Sequence, residues 1–259
     1  MRAILTYHSI DDSGSPISVS PRAFERHIEW LTSGQVMVES LDALTRGAGA
    51  GDRPRVALTF DDGFVSFASV AWPRLRDAGL PATVFLVSDH VGGTNQWRGA
   101  AVGGIPVLPL MSWEDAASCA AEGADIGAHS RTHPPLSTLP PTAAHDEMAG
   151  CRQALWERLR VAATAFAYPY GDVSRSVAGD AAAIFDIACT TEYRVLSTAD
   201  PRYLVPRLDM FYFQHEGACS DWGTPAFRRR VAVRRALRAV RSGLSSARLG
   251  RVRSPAMGL

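Results

Sequence analysis

The sequence predicts an α/β fold built on parallel strands, and three observations carry that expectation. Short apolar runs alternate with helix-length segments along roughly the first two hundred residues, the pattern of repeated strand–helix–strand units. Hydrophobic residues make up 46% of the 259 positions and charged residues 20%, which suits a large buried core and rules out global disorder. Three polar clusters each follow an expected strand, and a parallel sheet gathers such strand ends on one face.

The elements read in order as follows. Arg2–Tyr7 is a strand. Ser20 and Pro21 open a helix as N-cap and first helical residue, with Phe24, Ile28 and Leu31 as its apolar stripe and Gly34 as its stop. Val36–Val38 is a short strand, and a loop with Gly47, Gly49 and Gly51 leads into the strand Arg55–Phe60. Val65–Ala78 is helical, kinked at Pro73 and followed by Gly79. Ala82–Val87 is a strand, and residues 88–110 form a long loop. Ser112 and Asp115 have the spacing of a capping box. Then come the strand Ala124–Ala128, the helix Thr142–Arg160, the strand Thr164–Tyr168, the helix Ser174–Ile184 and a last core strand, Ile187–Thr191. Seven or so strands fit an open doubly wound sheet or a barrel, and the pattern does not separate the two.

Charge divides the chain unevenly. All 27 basic residues are Arg; ten lie at or beyond Arg228, and no acid follows Asp221. Residues 1–227 therefore hold seventeen Arg against 26 acids, a net of −9, which excludes a general nucleic-acid-binding body. The domain reading is a body over 1–224 and an Arg-rich tail over 225–259. No apolar stretch approaches the roughly 18–20 residues of a membrane span. The run before His8 is too short for a signal peptide. Four scattered cysteines fit a reducing compartment better than a disulfide scaffold. The expected location is cytoplasmic.

Three segments carry the chemistry: Thr59–Gly63, which contains Asp61 and Asp62; His129–His133; and Tyr168–Asp172, which contains Pro169, Tyr170 and Gly171. Adjacent carboxylates after a strand point in divergent directions, so one can bind a metal while the other reaches a water on it. The ordinary explanation, a strand-to-helix turn rich in Asp and Gly, is about as good for that pair alone. His129 and His133 are four apart, but Pro134 and Pro135 make a tight loop a better reading than a helix. With one carboxylate they would form a two-His, one-carboxylate metal triad with open positions. The third segment reads as a rigid turn whose backbone N–H can face a reacting carbonyl.

Together these segments resemble the polysaccharide deacetylases, carbohydrate esterase family 4, also called the nodulation-protein-B homology domain. Thr59–Gly63 matches the family's TFDDG, His129–His133 its H(S/T)xxH pattern, and Pro169–Gly171 the end of its third motif; Thr6–Ser9 resembles its N-terminal strand. The likeness spans about residues 2–210. It implies a distorted (β/α)7 barrel as one domain with a basic C-terminal helical tail. It also implies removal of N-acetyl groups from an N-acetylated carbohydrate by a hydrolase with one divalent ion, usually zinc. By position, Asp61 would be the general base, Asp62, His129 and His133 the metal ligands, and the Tyr170 backbone N–H part of the oxyanion hole.

The chain also departs from the family pattern. The Arg that often orients the base is replaced by Ala167, and Arg207 is the candidate to fill the vacated space. The late general-acid motif is not recognisable, which leaves His215 and His8. Asp221–Trp222 echoes a fourth motif but falls late in the chain. In the 88–110 loop, among Asn95, Gln96 and Arg98, Trp97 is expected either to stack on a sugar or to plug the barrel, and Pro169 and Tyr170 to meet substrate. In the tail, Val233, Leu237, Val240 and Leu244 alternate with Arg234, Arg235, Arg238 and Arg241. That is the pattern of an amphipathic helix, which could bind an anionic membrane surface at the cytoplasmic face or dock on the acidic body. Two alternatives stay open: a metal amidohydrolase acting on a non-sugar amide, and a non-catalytic glycan-binding barrel.

Overall fold

The computed structural model describes residues 1–47, 52–97 and 104–250, with side chains through residue 240. The expected loop residues Gly49, Gly51 and Arg98, and the side chain of Leu244, lie outside the described set. Two units are present, Met1–Ser220 and Asp221–Leu259.

The first unit holds ten strands: β1 (Arg2–Tyr7), β2 (Ser9–Ile10), β3 (Ser18–Val19), β4 (Met37–Val38), β5 (Arg55–Phe60), β6 (Ala82–Leu86), β7 (Asp125–Ala128), β8 (Ala165–Ala167), β9 (Ile187–Cys189) and β10 (Leu208–Asp209). Eight of them form one sheet, ordered β10-β1-β5-β6-β7-β8-β9 with β4 also on β5, and every ladder in it is parallel. β2 and β3 pair separately. The central strands are buried along their length, mostly by apolar side chains, because both faces are covered: all six residues of β5 and all five of β6 are buried. β5 is flanked by β1 along its whole length. Its other side is shared, with β4 on Arg55 and Val56 and β6 on Leu58 to Phe60.

The sheet curls, as in a distorted (β/α)7 barrel. Its closing piece was not anticipated, since Ile187–Thr191 read as the last core strand. After β9 the segment 205–209 runs between the two ends of the sheet. Val205 bridges to Cys189 on one side, while Leu208 and Asp209 pair with Leu5 and Thr6 of β1 on the other. The N–H of Val205 donates to the Ala188 carbonyl and the N–H of Thr190 to the Val205 carbonyl.

Among the described residues six α-helices belong to this unit: α1 (Pro21–Thr32), α2 (Leu41–Arg46), α3 (Trp72–Asp77), α4 (Trp113–Ala121), α5 (Pro141–Leu159) and α6 (Arg175–Ile184). Ser20 caps α1 by accepting from the Ala23 N–H, with Pro21 next to it. The Ser112–Asp115 capping box forms in full. The expected helix over Val65–Ala78 differs: residues Phe67–Ala71 form a π-helical turn, and Pro73 then sits in the first turn of α3. A proline interrupts an ordinary α ladder but fits a first turn, so the wider turn absorbs it. α2 was missed by the sequence pattern. Six residues are too few for periodicity, and its only marks are the Ser40 cap and Gly47 at φ 72°.

The second unit, through residue 250, is the helix α7 (Pro225–Gly250) with the short segment before it. Within it Asp221 pairs with Arg230, and Trp222 packs on Phe227 with ring centroids 4.3 Å apart. Val233, Leu237 and Val240 are each more than half exposed. Among the described residues no helix is long and apolar enough to cross a membrane.

Candidate active site

β5 delivers the two carboxylates. The Asp61 N–H still bonds the Tyr7 carbonyl at 2.9 Å, extending the β1–β5 ladder by one residue. At Asp62 the chain turns into the left-handed region at φ 69°, and Gly63 follows at 72°. A Cβ on Gly63 would lie 2.6 Å from Leu86 Cδ2, so this turn needs glycine for both conformation and room. The turn aims the neighbouring side chains at different partners.

Asp61 is 3% exposed and faces Arg207, which is 1% exposed. Arg207 Nη1 donates to Asp61 Oδ1 at 2.6 Å and Nη2 to Oδ2 at 2.7 Å. The guanidinium is held in turn: Nε donates to the Thr190 carbonyl at 3.0 Å, and Nη1 lies 3.3 Å from Thr59 Oγ1. Burial pushes the Asp61 carboxyl up, but Arg207 above all, then His129 and His8, pull it below the usual carboxylate range. His8, at the end of β1 and partly open to solvent, places Nε2 3.7 Å from Asp61 Oδ2.

Asp62 faces the histidines. Its Oδ1 lies 3.3 Å from Nε2 of both His129 and His133, and one donor atom from each residue falls within 4.8 Å of the others. These contacts are not well-formed hydrogen bonds: buried Asp62 Oδ1 has no hydrogen-bond partner among the described residues. An orphaned buried carboxylate oxygen beside two imidazole nitrogens fits a divalent cation, and the nitrogen–oxygen donor set suits zinc. Burial raises the Asp62 carboxyl, but its contacts with His129 and His133 bring it well below the normal range.

β7 and the loop behind it place the histidines. His129 Nδ1 donates to the Ala167 carbonyl at 2.7 Å, which leaves Nε2 as the lone-pair nitrogen. Ser130 at φ 65° and His133 at φ 59° fold the loop back, and the Ser130 hydroxyl accepts from the His133 N–H. Glu147 of α5 accepts from the Arg131 and Thr132 N–H groups and from the Thr132 hydroxyl. Nothing in the sequence marks Glu147, because an acid on a helix face reads as a solvated charge. Tyr170 follows β8 at φ 59°, and next to it a Cβ on Gly171 would fall 2.0 Å from Thr191 Oγ1. Left-handed non-glycine residues are uncommon, and four of them border this site.

Several expected residues are placed differently. Pro169 is buried and shapes its turn instead of offering surface to a substrate, whereas Tyr170 is 52% exposed. Trp97 is 8% exposed and its ring is taken by His133, stacked at 4.4 Å, so it is not a free platform for a sugar. His215 lines a separate cleft of about 390 Å³ with His27, Trp30 and Cys219. It does not join the Asp61 cluster, because the turn after Phe213 carries it towards α1.

A buried carboxylate held ionised beside a three-donor cation site defines a centre able to activate water for hydrolysis. The chain belongs to the polysaccharide deacetylase family, whose model matches residues 48–184. It is similar to YxkH of Bacillus subtilis, assigned by name to the polysaccharide deacetylases: 28% identity over 172 residues, 65% of this chain and 56% of that one. It also resembles the poly-beta-1,6-N-acetyl-D-glucosamine N-deacetylase of Staphylococcus epidermidis at 31% identity over 80 residues, 30% of this chain and 28% of the relative. The chain thus spans about half, or less, of the length of these relatives. The solved structure of IcaB from Ammonifex degensii shares the fold, with a TM-score of 0.68 over 80% of this chain and 90% of that one at 24% identity.

Proposed function

We propose that the protein is a metal-dependent hydrolase that removes N-acetyl groups from an amino-sugar-containing glycan or glycan precursor. The single observation that carries this reading is the division of labour between adjacent carboxylates, Asp61 to a buried guanidinium and Asp62 to two imidazoles. The family, and the activity for which the staphylococcal relative is named, support the substrate class.

Asp62, His129 and His133 would hold one divalent ion, for which their chemistry favours zinc. Bound there, it supplies Lewis-acid polarisation of the amide carbonyl and the attacking water. Asp61, kept ionised and oriented by Arg207, accepts the proton of that water. The Tyr170 backbone N–H, on its strained turn, donates to the oxygen of the tetrahedral centre. His8 Nε2, beside Asp61 and open to solvent, donates a proton to the leaving nitrogen. Water and amide are consumed, and acetate and a free amine are released. The exposed apolar residues of α7 among its arginines support binding to an anionic membrane surface, at the cytoplasmic face, where a lipid-linked or envelope substrate would be met. The four free, buried cysteines agree with a reducing compartment.

The test is acetate release by the zinc-loaded protein over a panel of N-acetylated sugars and simple acetamides, alongside Asp61→Asn. Sugar substrates should be preferred. Asp61→Asn should keep its zinc and lose about 10²–10⁴-fold in rate. Preference for non-sugar amides would overturn the substrate class, and loss of zinc from Asp61→Asn would reverse the roles of the two carboxylates.

A further inference from the structure

The two imidazoles of the metal centre are held in different ways. His129 has its outer nitrogen fixed by the Ala167 carbonyl at 2.7 Å. His133 Nδ1 is buried and has no hydrogen-bond partner among the described residues. A metal-binding histidine almost always donates its other N–H to an oxygen that fixes the ring, and no described residue supplies that oxygen to His133.

Rings surround it instead. Trp97 stacks on His133 with centroids 4.4 Å apart and planes 26° from parallel, and Tyr170 meets it edge-on at 4.6 Å. Trp97 is itself anchored. It packs with Phe64, Val87 and Leu110. Asn95 ties its segment to the returning one, donating through Nδ2 to the Pro106 carbonyl and accepting from the Leu108 N–H. The same ribbon continues to Met111, whose N–H bonds the Gly63 carbonyl beside Asp62. A cation on Nε2 draws electrons from the imidazole, and an electron-poor ring gains from the electron-rich face of an indole.

We propose that Trp97 is a positioning residue of the metal centre, holding His133 in its ligand orientation by stacking, where no described residue accepts a hydrogen bond from the ring. The inference rests on the metal-site reading above and assigns Trp97 a role other than sugar contact. It makes the loop between β6 and α4 part of the metal site's construction, although none of its described residues supplies a ligand.

The experiment measures Zn²⁺ affinity of the full metal-free chain by chelator competition, together with thermal unfolding without metal. Trp97→Leu keeps apolar volume and removes the aromatic face; it should bind Zn²⁺ about tenfold or more weakly, within the range for lost supporting contacts. Trp97→Phe keeps a face and should recover most of that loss. Leu110→Ala disturbs the packing under the indole and should lower the unfolding temperature without weakening Zn²⁺ to the same degree. His133→Ala serves as the control. If it keeps full affinity, the metal site itself is misassigned. If it loses affinity while Trp97→Leu binds normally, or if Leu110→Ala or Trp97→Phe weakens Zn²⁺ as much as Trp97→Leu, the stacking role is wrong.

Discussion

A fully buried guanidinium is costly to keep, and Arg207 is kept by a bidentate carboxylate, the Thr190 carbonyl and the Thr59 hydroxyl. Removing one partner of such a pair leaves the other charge buried and alone, which costs about 3–5 kcal/mol. Arg207→Met should therefore lower stability by about that amount in urea unfolding. The double variant Arg207→Met, Asp61→Asn should recover most of the stability, since no unpaired charge remains, yet stay as inactive as Asp61→Asn alone. Additive losses in the double variant would mean that the pair is not energetically coupled. At this level much was legible, because the turn residues that carry Asp61, Asp62, His129 and His133 are contiguous motifs. The face Trp97 presents was not, since its partner lies 36 positions further along the chain and nothing local distinguishes a ring that stacks on substrate from one that stacks on a ligand.

On helix α1, His27 is buried between β1 and the turn at Phe213. Its Nε2 donates to the Phe213 carbonyl at 3.0 Å, so Nδ1 is the acceptor for the Tyr7 hydroxyl at 3.2 Å. Burial, with Arg26 adding to it, holds the imidazole down to about 4, against about 6.5 in an unfolded chain. Between those values the unfolded state binds a proton that the folded state refuses. Stability is therefore intact above about pH 6.5 and falls as pH drops towards 4, by as much as about 1.4 kcal/mol per unit. Urea midpoints of wild type and His27→Gln, followed from pH 7.5 to 4.5, should diverge in slope by up to about one proton within that window. Parallel curves would show that His27 is not excluded from charging. The strands and longer helices were readable because β5 and β6 are mostly apolar runs and α1 and α4 carry their caps in sequence. What was not readable is pairing. β4 sharing β5 with β6, and β10 closing on β1, depend on contacts between distant segments that leave no periodic trace.

Across the whole chain, charge is the dominant asymmetry. The net of −9 in residues 1–227 would be repelled by an anionic bilayer, so the ten arginines beyond must act locally, at ~1 kcal/mol per charge near such a surface. The full chain should sediment with anionic vesicles at low salt and release in high salt, while a chain ending at Phe227 should stay in solution and still turn over a small soluble substrate. Indifference of the full chain to anionic vesicles at low salt would remove the membrane reading. A second whole-chain property follows from the closing segment. Asp62, His129 and His133 and the groups that brace them, Glu147 and the Ala167 carbonyl, all lie before residue 168, but Arg207, which pairs with Asp61, sits between residues stitched to β9 and to β1. Contacts of such long sequence separation tend to form late in folding. On the proposed mechanism, a nascent chain, or one cut short before Arg207, would therefore carry the ligand set and still lack the partner of its base, so chemistry would wait until the first and last strands of the sheet have met.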